Sequence, residues 1–503
     1  MRLSKSRYIS GCQCPLKLWY ECHEPQLAEL PGVVQQAIFD TGNAVGALAR
    51  ERYQGGHLVE FGPRQPEQAM AKTAELMADP SVEVIFEGAF LYKDVLVRVD
   101  VLERKAMGWN LIEVKSGTKV KDGVHDRDVA VQLWVLRGSD VAVVSSGVLT
   151  LNREYVYDGV NLNLDRLFKF HDISELAAIL QTDVEQEIQR SQEMLHAASA
   201  PDIDPGEQCS KPYKCQYYAH CTRNLVTPEH PLSEIPKLHK NKSDLLESDG
   251  IDSIVDVPVD FPLTGRQAIV RDAVVNDEEY ISEDLAVEIT NVTYPIYYLD
   301  FETFSPAIPR YAGTHPYQLI PFQFSVHIER AKESLQHIEY LHEDDGDPRR
   351  LFAGNLLSTL GREGSICVYT SYERRVIQEL AKAVPELSDQ LTALLDRLWD
   401  LCKVIEDYYY HKDFGGSYSI KKVLPVLVPE LSYATLSIQD GLAAAAVYER
   451  ALNSEYPEER QKTFSDLKEY CGLDTLAMVR LREEILSITN MAERRAELVS
   501  EES

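Results

Sequence analysis

Three groups of residues in this 503-residue chain have types and spacings that could do chemistry. The first is Asp100 in LVRVDVLE with Glu113 and Lys115 in NLIEVKS. Both segments read as strands, whose side chains alternate between faces. Val97, Val99 and Val101 are then expected on one face, with Arg98 and Asp100 on the other. In the same way Ile112 and Val114 oppose Glu113 and Lys115. Neighbouring strands would bring two carboxylates and one ammonium together. Such carboxylates can hold a divalent ion that polarises a phosphate and acidifies bound water, and oxygen donors suit magnesium or manganese. The lysine can orient the water and stabilise developing charge, so the set is one for phosphodiester hydrolysis.

The second group is Asp300 and Glu302 in YYLDFETF with Tyr470 and Asp474 in DLKEYCGLDTLAMVRL. Two residues apart on a strand, or four apart on a helix, side chains share a face. Three carboxylates from two separate elements, meeting at one point, can make a two-metal site, with the tyrosine positioning water. The acidic run HEDDGD, followed by Pro348, Arg349 and Arg350, reads as a solvated turn.

The third group is Cys14, in GCQCPLKLWY, with Cys209, Cys215 and Cys221, in CSKPYKCQYYAHC. Four thiolates suit an iron–sulfur cluster, and a structural zinc ion can use the same set. The spacing would tie the two ends of a domain together. Cys12 rivals Cys14, while Cys22, Cys367, Cys402 and Cys471 read as free thiols. Nine cysteines in so long a chain do not make a disulfide scaffold.

These groups need elements to position them. Residues 1–224 read as one unit, with a helical start, strands at SVEVIFEGAFLY, DVLVRVDVLER and WNLIEVKSG, a helix at DVAVQLWVLRG and a strand at DVAVVSSGVLTL. Residues 225–290 form a helical connector with a weak helix–hairpin–helix pattern that lacks the usual Gly-x-Gly. Residues 291–490 form a second unit that opens on a strand and ends in long helices; residues 491–503 are a charged tail expected to fray. Strands mixed with helices indicate an α/β or α+β fold class, and α/β is the expectation.

The net charge of -29 excludes a general nucleic-acid coat, since phosphate affinity comes from Lys and Arg. It leaves room for a local basic strip, for which Arg2, Lys5, Arg7, Lys115 to Lys121, Lys237 to Lys242, Arg374, Arg375, Lys421 and Lys422 are candidates. The N-terminus has no apolar core of a signal peptide, and no apolar run reaches the ~18 residues of a membrane span, so a cytoplasmic protein is expected.

Asp100 followed by Glu113-Val114-Lys115, then Gln132 on the next helix and Glu87 in FEGAF ahead of it, resembles the PD-(D/E)xK nucleases, in particular the RecB-like iron–sulfur exonucleases. The resemblance covers about the first 225 residues and includes the four cysteines as cluster ligands, with a 4Fe-4S cluster implied. It departs at TGNAVGALAR, where Gly46 stands in place of a metal-binding histidine. The pattern Asp300-Phe301-Glu302 with Tyr470 through Asp474 resembles the DEDDy branch of the DnaQ-like exonucleases, which have an RNase H-like fold. There Glu373, in VYTSYERRVIQEL, replaces the usual middle aspartate, with Asp400 in LWDLCKVIED as the substitute candidate, and HKDFGGSYSIKKVLP resembles a Gly/Ser-rich loop that contacts the substrate strand. The whole chain resembles a bacterial family fusing these two nucleases. The resemblance implies a PD-(D/E)xK restriction-endonuclease-like domain followed by an RNase H-like domain, and a magnesium- or manganese-dependent nuclease acting on DNA, single-stranded or end-bearing, in repair, recombination or defence. The alternatives are an RNA-processing exonuclease, a single live DnaQ-like site with the first half as a nucleic-acid clamp, or a scaffold of two decayed nuclease folds.

Overall fold

The computed structural model describes residues 2–501 apart from Pro63 and residues 332–334, with side chains as far as Met491. The described chain is mixed α/β, with nineteen α-helices and three sheets. It divides into two compact units. One holds the residues up to Leu225 together with Pro306–Gln318; the other holds Val226–Ser305 and the chain from Leu319 onward. Residues 226–290, expected as a connector, therefore belong to the second unit.

The first unit is built on a seven-stranded sheet. Val84–Tyr92, Val95–Lys105 and Gly108–Val114 form an antiparallel meander, and Gly108–Val114 then pairs in parallel with Val143–Leu151. The helix His125–Gly138 makes that crossover. It is buried from Val129 through Leu136, with Asp128 and Gln132 four residues apart on one side of it.

The meander departs from simple alternation. Val97 and Val99 pack in the same core as Leu102 and Leu111, whereas Val101 packs in the opposite core with Ile112. The three valines therefore do not share a face, because the alternation flips at Asp100. The strand also changes partner there: Val101–Lys105 pair with Gly108–Ile112, but Val95 and Leu96 pair with Leu3 and Ser4. A gap opens in the sheet at Asp100.

The second unit has a five-stranded sheet in the order Gln336–Leu341, Ile320–Glu329, Ile296–Phe304, Ile366–Val368, Leu398–Asp400. The first three strands are antiparallel and the last two join in parallel. On one face of the central strand Tyr297, Leu299 and Phe301 join Phe324, Val326 and Ile328 in a core closed by residues of the helices Arg349–Leu360 and Tyr372–Ala383. The opposite face carries Asp300, Glu302, Gln323, Ser325 and His327 and is covered by the helix Pro457–Glu501. That helix continues through residues 491–501, expected as a tail; residues 502 and 503 lie outside the described residues.

Within residues 226–290 the helices Lys240–Ser248 and Gly265–Asn276 are separated by residues 249–264 in place of a tight hairpin. The second of them opens on a capping box of Thr264 and Gln267. Among the described residues no helix is long and apolar enough to cross a membrane.

Candidate functional site

Asp300 and Glu302 leave the same face of the central strand, across from Ser325 and Gln323. Polar bonds lock the long helix onto this face. Gln323 Nε2 donates to the Leu467 carbonyl at 2.9 Å, and the Thr475 hydroxyl lies 2.7 Å from Ser325 Oγ and 2.8 Å from His327 Nδ1. The register so fixed brings Asp474 over the strand. One carboxylate oxygen from each of Asp300, Glu302 and Asp474 then lies within 4.8 Å of the others. Burial, and then the neighbouring carboxylates, push Asp300 and Glu302 well above the usual range. Burial likewise pushes Asp474 up to about 6, against the opposing influence of Tyr433, Lys421 and Tyr470. Acids crowded in this way, with too little positive charge beside them, fit a divalent cation.

A second observation supports the fit. Glu373, at the start of the helix Tyr372–Ala383, is 2% exposed, and its Oε2 has no hydrogen-bond partner. Burial and then Asp300 raise its pKa well above the ordinary value. It is not one of the three acids at ligand distance, but it is the available fourth acid. Asp400, the alternative, accepts from the backbone N–H of Lys403 at 3.0 Å and of Thr370 at 3.1 Å. It caps the helix Leu401–Tyr408.

Tyr470 is buried beside Asp474 and shares the site with a tyrosine that sequence reasoning missed. Tyr433 donates its hydroxyl to Asp474 Oδ1 at 2.6 Å, and the two tyrosine rings lie 6.2 Å apart. Lys421 Nζ sits 5.9 Å from both ring centroids and bonds to the Gln439 carbonyl. It reaches the site from the helix that follows the loop HKDFGGSYS. Gly416 in that loop has φ 69°, and a Cβ there would lie 1.7 Å from the Glu234 carbonyl oxygen, so only glycine fits. The Cys471 thiol is buried 3.6 Å from Asp300 Oδ2. Nothing in the pattern around Tyr433, ELSYATLS, marks it as functional.

In the first unit the strand register sets Glu87, Asp100 and Glu113 at one level across three neighbouring strands. The ladder is interrupted at the Glu87–Asp100 rung, where Glu87 takes φ 56°, a strained value for this residue type. Asp100 Oδ2 accepts from the Val114 N–H at 2.7 Å. Burial, and then Glu113, push Asp100 up to about 7. Glu113 is buried, yet Lys115 and Lys5 overcome that burial and hold its carboxyl far below the usual range. Lys115 Nζ bonds Glu113 Oε1 at 2.7 Å and also pairs with Asp128; Gln132 Nε2 donates to Glu113 Oε2 at 2.8 Å. Glu87 instead meets Arg98 at 3.5 Å. Gly46 lines the same cavity as Glu87, Asp100 and Glu113, and a Cβ placed on it would meet nothing within 4 Å.

Lys5 and Asp128 were missed in this unit. Asp128 was findable, since it lies four residues before Gln132 on one helix. Lys5, proposed as part of a surface strip, is instead turned onto Glu113, where it joins Lys115. Among the described residues the one group of three His, Cys, Asp or Glu at metal-ligand distance is Asp300, Glu302 and Asp474.

Cys14, Cys209, Cys215 and Cys221 line a single small cavity with Leu16, Lys17 and Tyr217. Cys14 lies between the helices Lys5–Gln13 and Pro15–His23, and the Cys215 N–H bonds the Cys209 carbonyl at 2.8 Å. Burial raises the Cys215 and Cys221 thiols, and the neighbouring cysteines push them further. Cys12 is not in the cavity; it is exposed, with Sγ 3.5 Å from Glu187 Oε2.

The family described as a domain of unknown function, DUF2779, matches residues 297–419. That span includes Asp300, Glu302 and Glu373 but not Tyr470 or Asp474. No curated protein matches. A solved structure titled "Crystal structure of SSO0001" aligns with 44% of this chain and 87% of its own, at 11% identity and a TM-score of 0.22, too distant a likeness to carry an argument.

Proposed function

We propose that this chain is a divalent-metal-dependent nuclease that hydrolyses phosphodiester bonds of single-stranded or end-bearing DNA. The observation that carries the reading is the convergence of Asp300, Glu302 and Asp474 within 4.8 Å, with the unpartnered Glu373 oxygen beside them. These acids would hold magnesium or manganese, which when bound supplies a polarised water and counter-charge for the leaving oxygen. Tyr470 orients the attacking water with its hydroxyl. Tyr433 fixes the Asp474 carboxylate through its 2.6 Å bond. Lys421, 5.9 Å from both ring centroids, would offset the charge of the phosphate.

The sheet order of the second unit, with its antiparallel start and parallel finish, supports an RNase H-like exonuclease domain. The interrupted meander carrying Glu87, Asp100, Glu113 and Lys115 supports a PD-(D/E)xK-like first domain, with an iron–sulfur cluster on Cys14, Cys209, Cys215 and Cys221. The grip of Lys5 on Glu113 favours a second reading, in which only the second unit cuts and the first holds nucleic acid.

The test is to incubate the full chain with end-labelled single- and double-stranded DNA and RNA, in manganese, magnesium or EDTA. Metal-dependent shortening of DNA from an end is expected. Cutting of RNA alone would reassign the substrate, and cutting of nothing would end the nuclease reading.

A further inference from the structure

We propose that Lys5 is the residue that decides whether the acid site of the first unit accepts a divalent cation. The inference rests on reading that site as a metal site. Glu113 is 2% exposed. Its oxygens accept from Lys5 Nζ at 2.7 and 2.8 Å, from Lys115 Nζ at 2.7 Å and from Gln132 Nε2 at 2.8 Å. A carboxylate offers about four lone-pair directions, so all of them are taken. A cation approaching from the cavity finds no free oxygen on Glu113.

The donors are not equally fixed. Lys115 follows Glu113 by two residues, and Gln132 is fully buried on the crossover helix. Lys5 is 108 residues away in sequence and opens the helix Lys5–Gln13. It is placed there because Leu3 and Ser4 pair with Val95 and Leu96, where that strand has left its other neighbour. The gap in the sheet is therefore filled by the Lys5 ammonium, which also lies 3.6 Å from Asp128. With full charges, Asp100, Glu113 and Asp128 against Lys5 and Lys115 leave one net negative charge. Without Lys5 they leave two. Lys5 thus takes coordination sites and charge that a divalent ion would need, and it does so where Gly46 supplies no replacement ligand.

The experiment uses the full chain carrying Asp300→Ala and Glu302→Ala, which silences the triad of the second unit. Manganese binding is followed by the paramagnetic resonance signal of the free ion. Adding Lys5→Met should tighten manganese binding about tenfold or more, because it frees two acceptor positions and removes a nearby like charge. Lys5→Gln, which keeps a polar head for packing, should do the same in part. Adding Glu113→Gln to Lys5→Met should erase the gain. If both Lys5 variants, folded by circular dichroism, bind manganese no tighter than their parent, Lys5 is not the competitor, and the metal reading stands by itself. If parent and variants alike bind none, the metal reading of the first site falls together with the proposal.

Discussion

Asp474→Asn should make the metal-free protein more stable at neutral pH while destroying its ability to bind manganese. Asp474 is 8% exposed, and burial holds its pKa at about 6 instead of 3.8. A group whose pKa is raised on folding contributes stability that is fully present below its unfolded pKa and lost as pH rises through the folded one. Here that loss runs from about pH 4 to above about pH 6. A shift of about two units at ~1.4 kcal/mol each amounts to about 3 kcal/mol at pH 7.5. Asparagine cannot ionise, and its Oδ1 still accepts the Tyr433 bond, so the variant avoids most of this cost. For a unit of this size ~1 kcal/mol corresponds to ~2–4 °C, so the variant should melt several degrees above wild type in EDTA. The gap should close as pH falls toward 4. Manganese at ~1,000 times its Kd should stabilise wild type by ~4.1 kcal/mol and the variant far less, reversing the order. The assay is a set of thermal scans between pH 4 and 7.5, with EDTA or manganese. A variant that melts below wild type in EDTA at pH 7.5, or a gap independent of pH, would refute the reasoning.

Other substitutions separate the roles of the remaining residues. Tyr433→Phe removes the bond that orients the carboxylate proposed to ligate the metal, so manganese affinity should drop ~10–100-fold, as measured by titration calorimetry. Tyr470→Phe should leave that affinity near wild type and slow hydrolysis on the order of 10²-fold; equal turnover would remove Tyr470 from the mechanism. Anaerobically purified protein should be brown and contain iron and labile sulfide. Cys209→Ser should lose both and melt its first unit earlier than its second, whereas zinc without iron would overturn the cluster.

The sequence was most legible where a side chain's direction follows from local period. Asp300 and Glu302 share a face because strands alternate, and Tyr470 and Asp474 share one because helices return every 3.6 residues. The four cysteines were found by type, and they do line one cavity. What failed was anything set by a break in the period or by distant chain. Val101 lies opposite its expected face because the strand changes partner at Asp100. Lys5 meets Glu113 only through the pairing of Leu3 and Ser4, and Tyr433 meets Asp474 across 41 residues of irregular chain and helix. No local pattern encodes such meetings. Asp400 stood as the substitute for Glu373, and its Oδ1 instead caps a helix and accepts from the Thr370 N–H.

The most direct test of the central claim, that Asp300, Glu302 and Asp474 form a working metal site, compares three proteins in one digest of end-labelled DNA with manganese. These are wild type, Lys115→Ala, and Asp300→Ala with Glu302→Ala. The account predicts that the double variant, still folded, loses the end-directed shortening that Lys115→Ala retains. Shortening by the double variant at the wild-type rate, with the same products, would contradict it.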